Sequence, residues 1–154
     1  MTLLRTFVLG AALLTGTGAF AAAPPYDETA DARAQIQAGL AEAQRAKVPV
    51  LVVFGANWCP DCRVLDLSFK EGASAPLIRE HFKVVKVDVG RFDRNVDIAQ
   101  AYGVPLKKGI PAVAVLSPAG KVVYTTKSGE LADARTLGDQ GIYDFFTRVA
   151  ASTR

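Results

Sequence analysis

Five consecutive apolar residues, Val50 to Phe54, run through Gly55-Ala56-Asn57 into Trp58-Cys59-Pro60-Asp61-Cys62, beyond which apolar positions recur at helical spacing. Nothing else in the chain restricts the fold as strongly. A short run rich in β-branched residues, with no polar alternation, reads as a strand buried on both faces, the kind found in the centre of a sheet that contains parallel pairs. The connection after it is too short for anything but a direct turn into a helix, predicted to continue to about Phe69 with Val64, Leu65 and Phe69 facing inward. The strand thus delivers a thiol to the start of a helix, and the two cysteines there are the only ones in the chain.

That placement has chemical consequences. The first N–H groups of a helix lack internal partners and its dipole places partial positive charge there, so a Cys59 thiolate is stabilised and its pKa lowered. Cys59 is the expected nucleophile, exposed at the helix tip. Pro60 falls where a missing N–H does no harm, and Cys62 shares the helical face of Cys59, can close a disulfide with it, and is the expected resolving thiol. Asp61 works the other way, because a carboxylate beside the pair disfavours a thiolate, so the couple is expected to lean towards reductant. Two blander uses of the pair are weaker. A structural staple with two intervening residues constrains the unfolded chain little, and a closed zinc site needs four ligands where this pair offers two and the chain has a single histidine, His81.

Length and charge suit one globular domain of 154 residues, with 18 Lys and Arg against 15 Asp and Glu spread along the chain. Without a basic cluster or interleaved aromatics, nucleic acid is not an expected partner. Residues 1–21 stand apart. Arg5, an apolar Phe7 to Leu14, small residues and Ala19-Phe20-Ala21 make a secretory signal with an A-x-A cleavage pattern. The apolar stretch is shorter than a membrane span and Gly10, Gly16 and Gly18 interrupt it, so no membrane insertion is expected after cleavage. Residues 22–32 read as an N-terminal extension, 33–150 as the domain, and 151–154 as a tail.

Helices are predicted over Asp31 to Lys47, Ser74 to Phe82, Asn95 to Tyr102 and Asp139 to Ala150, the last with Ile142, Phe145, Phe146 and Val149 on one face. Strands are predicted over Val84 to Val89, Ala112 to Leu116 and Lys121 to Thr126, the last two joined by the turn Ser117-Pro118-Ala119-Gly120. The order is β-α-β then β-β-α, a small α/β sandwich.

This order, the Trp-Cys-x-x-Cys at the first strand-to-helix junction, and Gly109-Ile110-Pro111 directly before the third predicted strand resemble the thioredoxin superfamily over roughly residues 33 to 150. The resemblance implies a three-layer α/β/α sandwich around a mixed sheet of about four to five strands. It also implies a cis Ile110-Pro111 bond facing the dithiol, with the Ile110 backbone pairing with an incoming peptide beside Trp58, Pro60 and Asp61. The departures are informative. Where thioredoxin has a buried acid six positions before the first cysteine, this chain has Val53, so proton transfer for the resolving thiol must be arranged otherwise. Lys86 matches a family lysine that neighbours that acid and could bias the local field. Pro60-Asp61 stands for the Gly-Pro of thioredoxin, and Leu106-Lys107-Lys108 resembles a small insertion where substrate selectivity would be set. His81 reads as a helix-end residue, Trp58 as a shield for the disulfide, and Asp88, Asp93 and Asp97 as too mixed with basic and apolar residues for calcium.

The expected activity is therefore that of an exported thiol-disulfide oxidoreductase, reducing protein disulfides through Cys59 and Cys62 with no cofactor beyond that disulfide. The resemblance implies disulfide-containing client proteins, a membrane-embedded electron donor and the periplasm of a Gram-negative bacterium. Two alternatives stay open: a disulfide oxidase or isomerase on the same residues, and a thioredoxin-fold binding module taking Cu(I) on its two thiolates. The latter lacks added ligands, the only methionine being the initiator.

Overall fold

The computed structural model describes residues 23–153. The segment read as a signal, residues 1–21, lies outside them. Five helices, α1 (Ala32–Ala46), α2 (Pro60–Lys70), α3 (Ser74–His81), α4 (Val96–Ala101) and α5 (Ala134–Ser152), accompany four strands, β1 (Val50–Gly55), β2 (Lys83–Asp88), β3 (Ala112–Leu116) and β4 (Val122–Thr125). The strands form one sheet in the order β2-β1-β3-β4. β1 runs parallel to β2 and antiparallel to β3, and β3 is antiparallel to β4. The sheet is mixed, with four strands.

The apolar run of β1 is buried throughout because both of its faces are covered. Val50, Val52 and Phe54 pack with Ala32, Ile36 and Ala43 of α1 and Ile98 and Ala99 of α4. Leu51 and Val53 face Leu65 and Phe69 of α2, Ile78 of α3, and Ile142, Phe146 and Val149 of α5. This is the thioredoxin-like three-layer arrangement, and it leaves the β1–α2 junction at one edge of the core.

Some boundaries differ from the sequence reading for local reasons. Asp31 is the cap of α1, its carboxylate accepting the N–H groups of Arg33 and Ala34, and Lys47 closes the helix in a left-handed conformation. Residues 106–108 form a single turn of 3-10 helix with Leu106 buried and both lysines exposed, so the segment read as an insertion is anchored by its first residue. α5 begins five residues earlier than its apolar face suggests, with a break at Gly138 (φ 66°, ψ 178°) that divides the first turn from the rest. The segment read as an N-terminal extension is described from residue 23, and its aromatic residue is packed into the domain. Tyr26 is 1% exposed and belongs to the same core cluster as β1.

Candidate active site

Cys59 caps α2. Its backbone is extended (φ −80°, ψ 116°), and the N–H of Cys62 donates to its sulfur at 3.1 Å. A free amide of the first helical turn is thus aimed at the outer sulfur, the contact expected to favour a thiolate there. Pro60 follows as the first helical residue, exposed and without an N–H to satisfy. Cys59 and Cys62 form a disulfide with Cα atoms 5.3 Å apart. The Ile110-Pro111 peptide is cis, both residues are buried, and the Ile110 carbonyl oxygen lies 3.6 Å from Cys59 Sγ.

The exposure of the outer cysteine needs correcting. The sequence suggested a sulfur standing free at the helix tip, whereas Cys59 is 3% exposed and Cys62 is fully buried. The Ile110 carbonyl closes over one side of Cys59 and the first turn of α2 over the other. What survives is the asymmetry: the limited access the pair has is to Cys59.

Trp58 is exposed over 44% of its surface beside the dithiol. Its Nε1–H donates to the Gly90 carbonyl at 2.8 Å, Phe92 meets it edge-on at 6.1 Å between ring centres, and the Arg91 guanidinium lies 5.7 Å from its ring. Phe92 and Arg91 were not foreseen, since both come from the loop after β2. Phe92 has φ 65°, a conformation a bulky residue rarely adopts.

Asp61 also differs from its sequence reading. It is 7% exposed and turned towards α5, where the backbone N–H and Nε of Arg135 donate to its Oδ1 at 3.0 and 3.1 Å. Burial pushes its carboxyl up, but the Arg135 N–H, guanidinium and charge outweigh that, and the net displacement is downward. A carboxylate so engaged is a poor direct contact for a client, and the arginine offsets part of its field on the sulfurs. Lys86, read as a residue that could bias the local field, pairs with Asp66 of α2, which Lys70 also meets at 2.8 Å. Burial lowers the Lys86 pKa. Asp66 escaped the sequence reading because only the fold brings β2 beneath that turn of α2.

The three aspartates weighed for calcium each have local partners. Asp97 pairs with Arg33, Asp93 accepts the Arg91 N–H at 2.9 Å, and Asp88 accepts the Gly90 N–H at 3.1 Å and pairs with Arg94. His81 ends α3. Among the described residues no group of three or more His, Cys, Asp or Glu side chains is arranged to hold a metal ion, and no helix is long and apolar enough to cross a membrane.

Geometry of this kind has counterparts. Residues 31–118 match a family model described as thioredoxin-like. The thioredoxins of Buchnera aphidicola subsp. Schizaphis graminum and of Griffithsia pacifica are 32% identical over 82 residues and 36% over 81, each match spanning 53% of this chain and 67% of the relative. A crystal structure of a disulphide isomerase from Xylella fastidiosa Temecula1 superposes with a TM-score of 0.80 at 56% identity, covering 84% of this chain and 98% of that one. With the sheet order, the Cys59–Cys62 pair and the model match in agreement, this chain belongs to the thioredoxin-like family and is an oxidoreductase of the thiol-disulfide type.

Proposed function

We propose that the chain is an exported thiol-disulfide oxidoreductase that reduces disulfides in client proteins. The observation that carries this reading is the placement of Cys59, which caps α2 with the Cys62 N–H on its sulfur and sits at the pair's one accessible edge, against the Ile110 carbonyl.

In the reduced chain the Cys59 thiolate attacks one sulfur of a client disulfide. That bond breaks, the client's second sulfur leaves as a thiolate and is protonated, and a mixed disulfide remains. Cys62 then gives up its proton and attacks Cys59 Sγ. The mixed disulfide breaks, the client departs with both sulfurs reduced, and two electrons have passed to it while Cys59–Cys62 becomes oxidised. Trp58, Pro60 and the Ile110-Pro111 loop form the rim over which the client strand lies, and Asp61 acts through its charge. Regeneration takes electrons from a membrane-embedded donor, and the signal pattern of residues 1–21 supports work in the periplasm.

Replacing the resolving thiol tests the reading. A Cys62→Ser variant expressed with its signal is expected to accumulate mixed disulfides with exported proteins, visible as reductant-sensitive bands that Cys59→Ser abolishes. If no such adducts form, the exchange mechanism is wrong.

A second reading, isomerase, is favoured by the 56% identity to the Xylella disulphide isomerase. It uses the same Cys59 attack but returns the client to a rearranged disulfide. Activity on a scrambled, fully oxidised substrate that exceeds net reduction of an intact one would select it.

A further inference from the structure

Gly55, the last residue of β1, is a meeting point. A Cβ placed on it would stand 2.9 Å from Cys62 Sγ and closer still to the hydroxyl oxygen of Tyr26, so the phenol and the inner sulfur are neighbours packed on the same backbone. Across the sheet Gly55 pairs with Asp88, whose carboxylate is buried. Tyr26 does not reach this place through local folding. It lies in an irregular segment before α1 that is clamped to the loop leading into the dithiol: the Tyr26 N–H donates to Asn57 Oδ1 at 3.0 Å, and Asn57 Nδ2 donates to the Tyr26 carbonyl at 2.8 Å and to Glu28 at 3.0 Å. Arg94, the partner of Asp88, donates to the Glu28 carbonyl at 2.7 Å.

The inner thiol needs such help. Cys62 is sealed from solvent and burial disfavours a thiolate, yet it must ionise to attack. The position where thioredoxin keeps a buried acid holds Val53, which packs in the apolar cluster with Leu65, Phe69 and Ile78 and offers no proton acceptor.

We propose, on the redox reading above, that Tyr26 and Asp88 serve the resolving step. The Tyr26 hydroxyl donates a hydrogen bond to the Cys62 sulfur as it becomes a thiolate, and the Asp88 carboxylate receives the proton that Cys62 gives up. The thiolate's electron pair then forms the Cys62–Cys59 bond, the bond from Cys59 to the client breaks, and the client sulfur leaves as a thiolate protonated by water. Burial first, and the Asp88 charge second, push the Tyr26 hydroxyl up, so it stays protonated and remains a donor throughout. Burial also raises the Asp88 carboxyl against the opposing effects of Arg94 and the Gly90 N–H, with Glu28 and Asp93 adding to the rise, which makes it a better proton acceptor than an ordinary aspartate.

Tyr26→Phe removes one oxygen and keeps the ring that fills the core. In rapid-mixing exchange with a fluorogenic disulfide peptide, the first attack, isolated in a Cys62→Ser background, is expected to be unchanged. Resolution is expected to slow about tenfold, the loss of one hydrogen bond to a charged group, and the Cys62 thiol in a Cys59→Ser background should titrate at higher pH. Resolution at the wild-type rate with an unmoved titration overturns the role of Tyr26. Should the phenylalanine variant not fold, a ring-fluorinated tyrosine at position 26, a stronger donor, is expected to lower the pH of Cys62 titration, and no movement overturns the same claim. Asp88→Asn is expected to slow resolution, and faster resolution, as when a carboxylate only repels the thiolate, overturns its role as acceptor. If the wild-type chain forms no mixed disulfide at all, it is the redox reading that has failed.

Discussion

Asp61 shows what a local motif carries and what it leaves out. Its position between the cysteines is plain in the sequence, and so is the sign of its effect on a thiolate. Its partner is not, since Arg135 lies 74 positions away and reaches it only because α5 begins against α2. The structure therefore makes two opposite predictions for the titration of Cys59, read by alkylation against pH. Asp61→Asn removes the negative charge and should lower the Cys59 pKa, whereas Arg135→Ala unmasks that charge and should raise it, each by about half a pH unit for a pair at the protein surface. Equal directions for the two would show that Asp61 acts through helix geometry and not charge. The same pair sets an acid dependence of stability. A carboxyl whose folded value lies below its unfolded one contributes fully above the ordinary aspartate range and loses that contribution as pH falls through the folded value. Arg135→Ala should accordingly be less stable than the parent in urea at pH 7, and the gap should close in acid. Tyr26 was invisible for a related reason: an aromatic in a polar stretch before a helix carries no periodicity, and its burial depends on Asn57, 31 positions on.

At the scale of elements, legibility followed the strength of the pattern. β3 agrees with its expected limits, and β1 exceeds its apolar run by a single residue, because a strand buried on both faces is written as an unbroken apolar run and its ends are marked by Gly or Pro. α5 was cut short because Gly138 lies inside it and the apolar spacing resumes only afterwards. That glycine holds φ 66° and ψ 178°, a region that residues with a Cβ avoid, while no atom outside its chain neighbours and the adjacent helix backbone lies within 4 Å of where a Cβ would stand. Backbone strain is the whole cost, and Gly138→Ala should destabilise by about 1–3 kcal/mol in equilibrium denaturation. A neutral result would mean the break straightens without loss, and with it the approach of Arg135 to Asp61. The cap of α1 is a second check on element logic. Asp31→Ala leaves two amides of the first turn without their carboxylate and should cost about 1 kcal/mol. A change confined to experimental error would indicate that water replaces the cap in full.

For the whole molecule, the direction of electron flow and the stability of the fold are one measurement. Folding and disulfide reduction form a thermodynamic cycle, so the difference in unfolding free energy between the oxidised and reduced chains equals the difference in reduction potential between the folded pair and the same pair in the unfolded chain, about 1.4 kcal/mol for each 30 mV. Two effects in the folded site oppose each other. The Cys62 N–H on Cys59 Sγ favours a thiolate and hence the reduced form. The burial of Cys62 and the Asp61 carboxylate penalise a thiolate and favour the disulfide. One amide contact shared with the helix is set against complete removal of the second sulfur from water, and the second effect is the larger, since a buried thiol also loses its hydration as a neutral group. The oxidised chain should therefore unfold at higher urea concentration than the reduced one, with the same slope, the order expected if the dithiol gives its electrons away as proposed. Denaturation with and without a thiol reductant settles it. A reduced form that is the more stable of the two would make this fold a holder of electrons and its disulfide an oxidant, reversing the proposed direction while leaving Cys59, Cys62 and the thioredoxin-like fold as they stand.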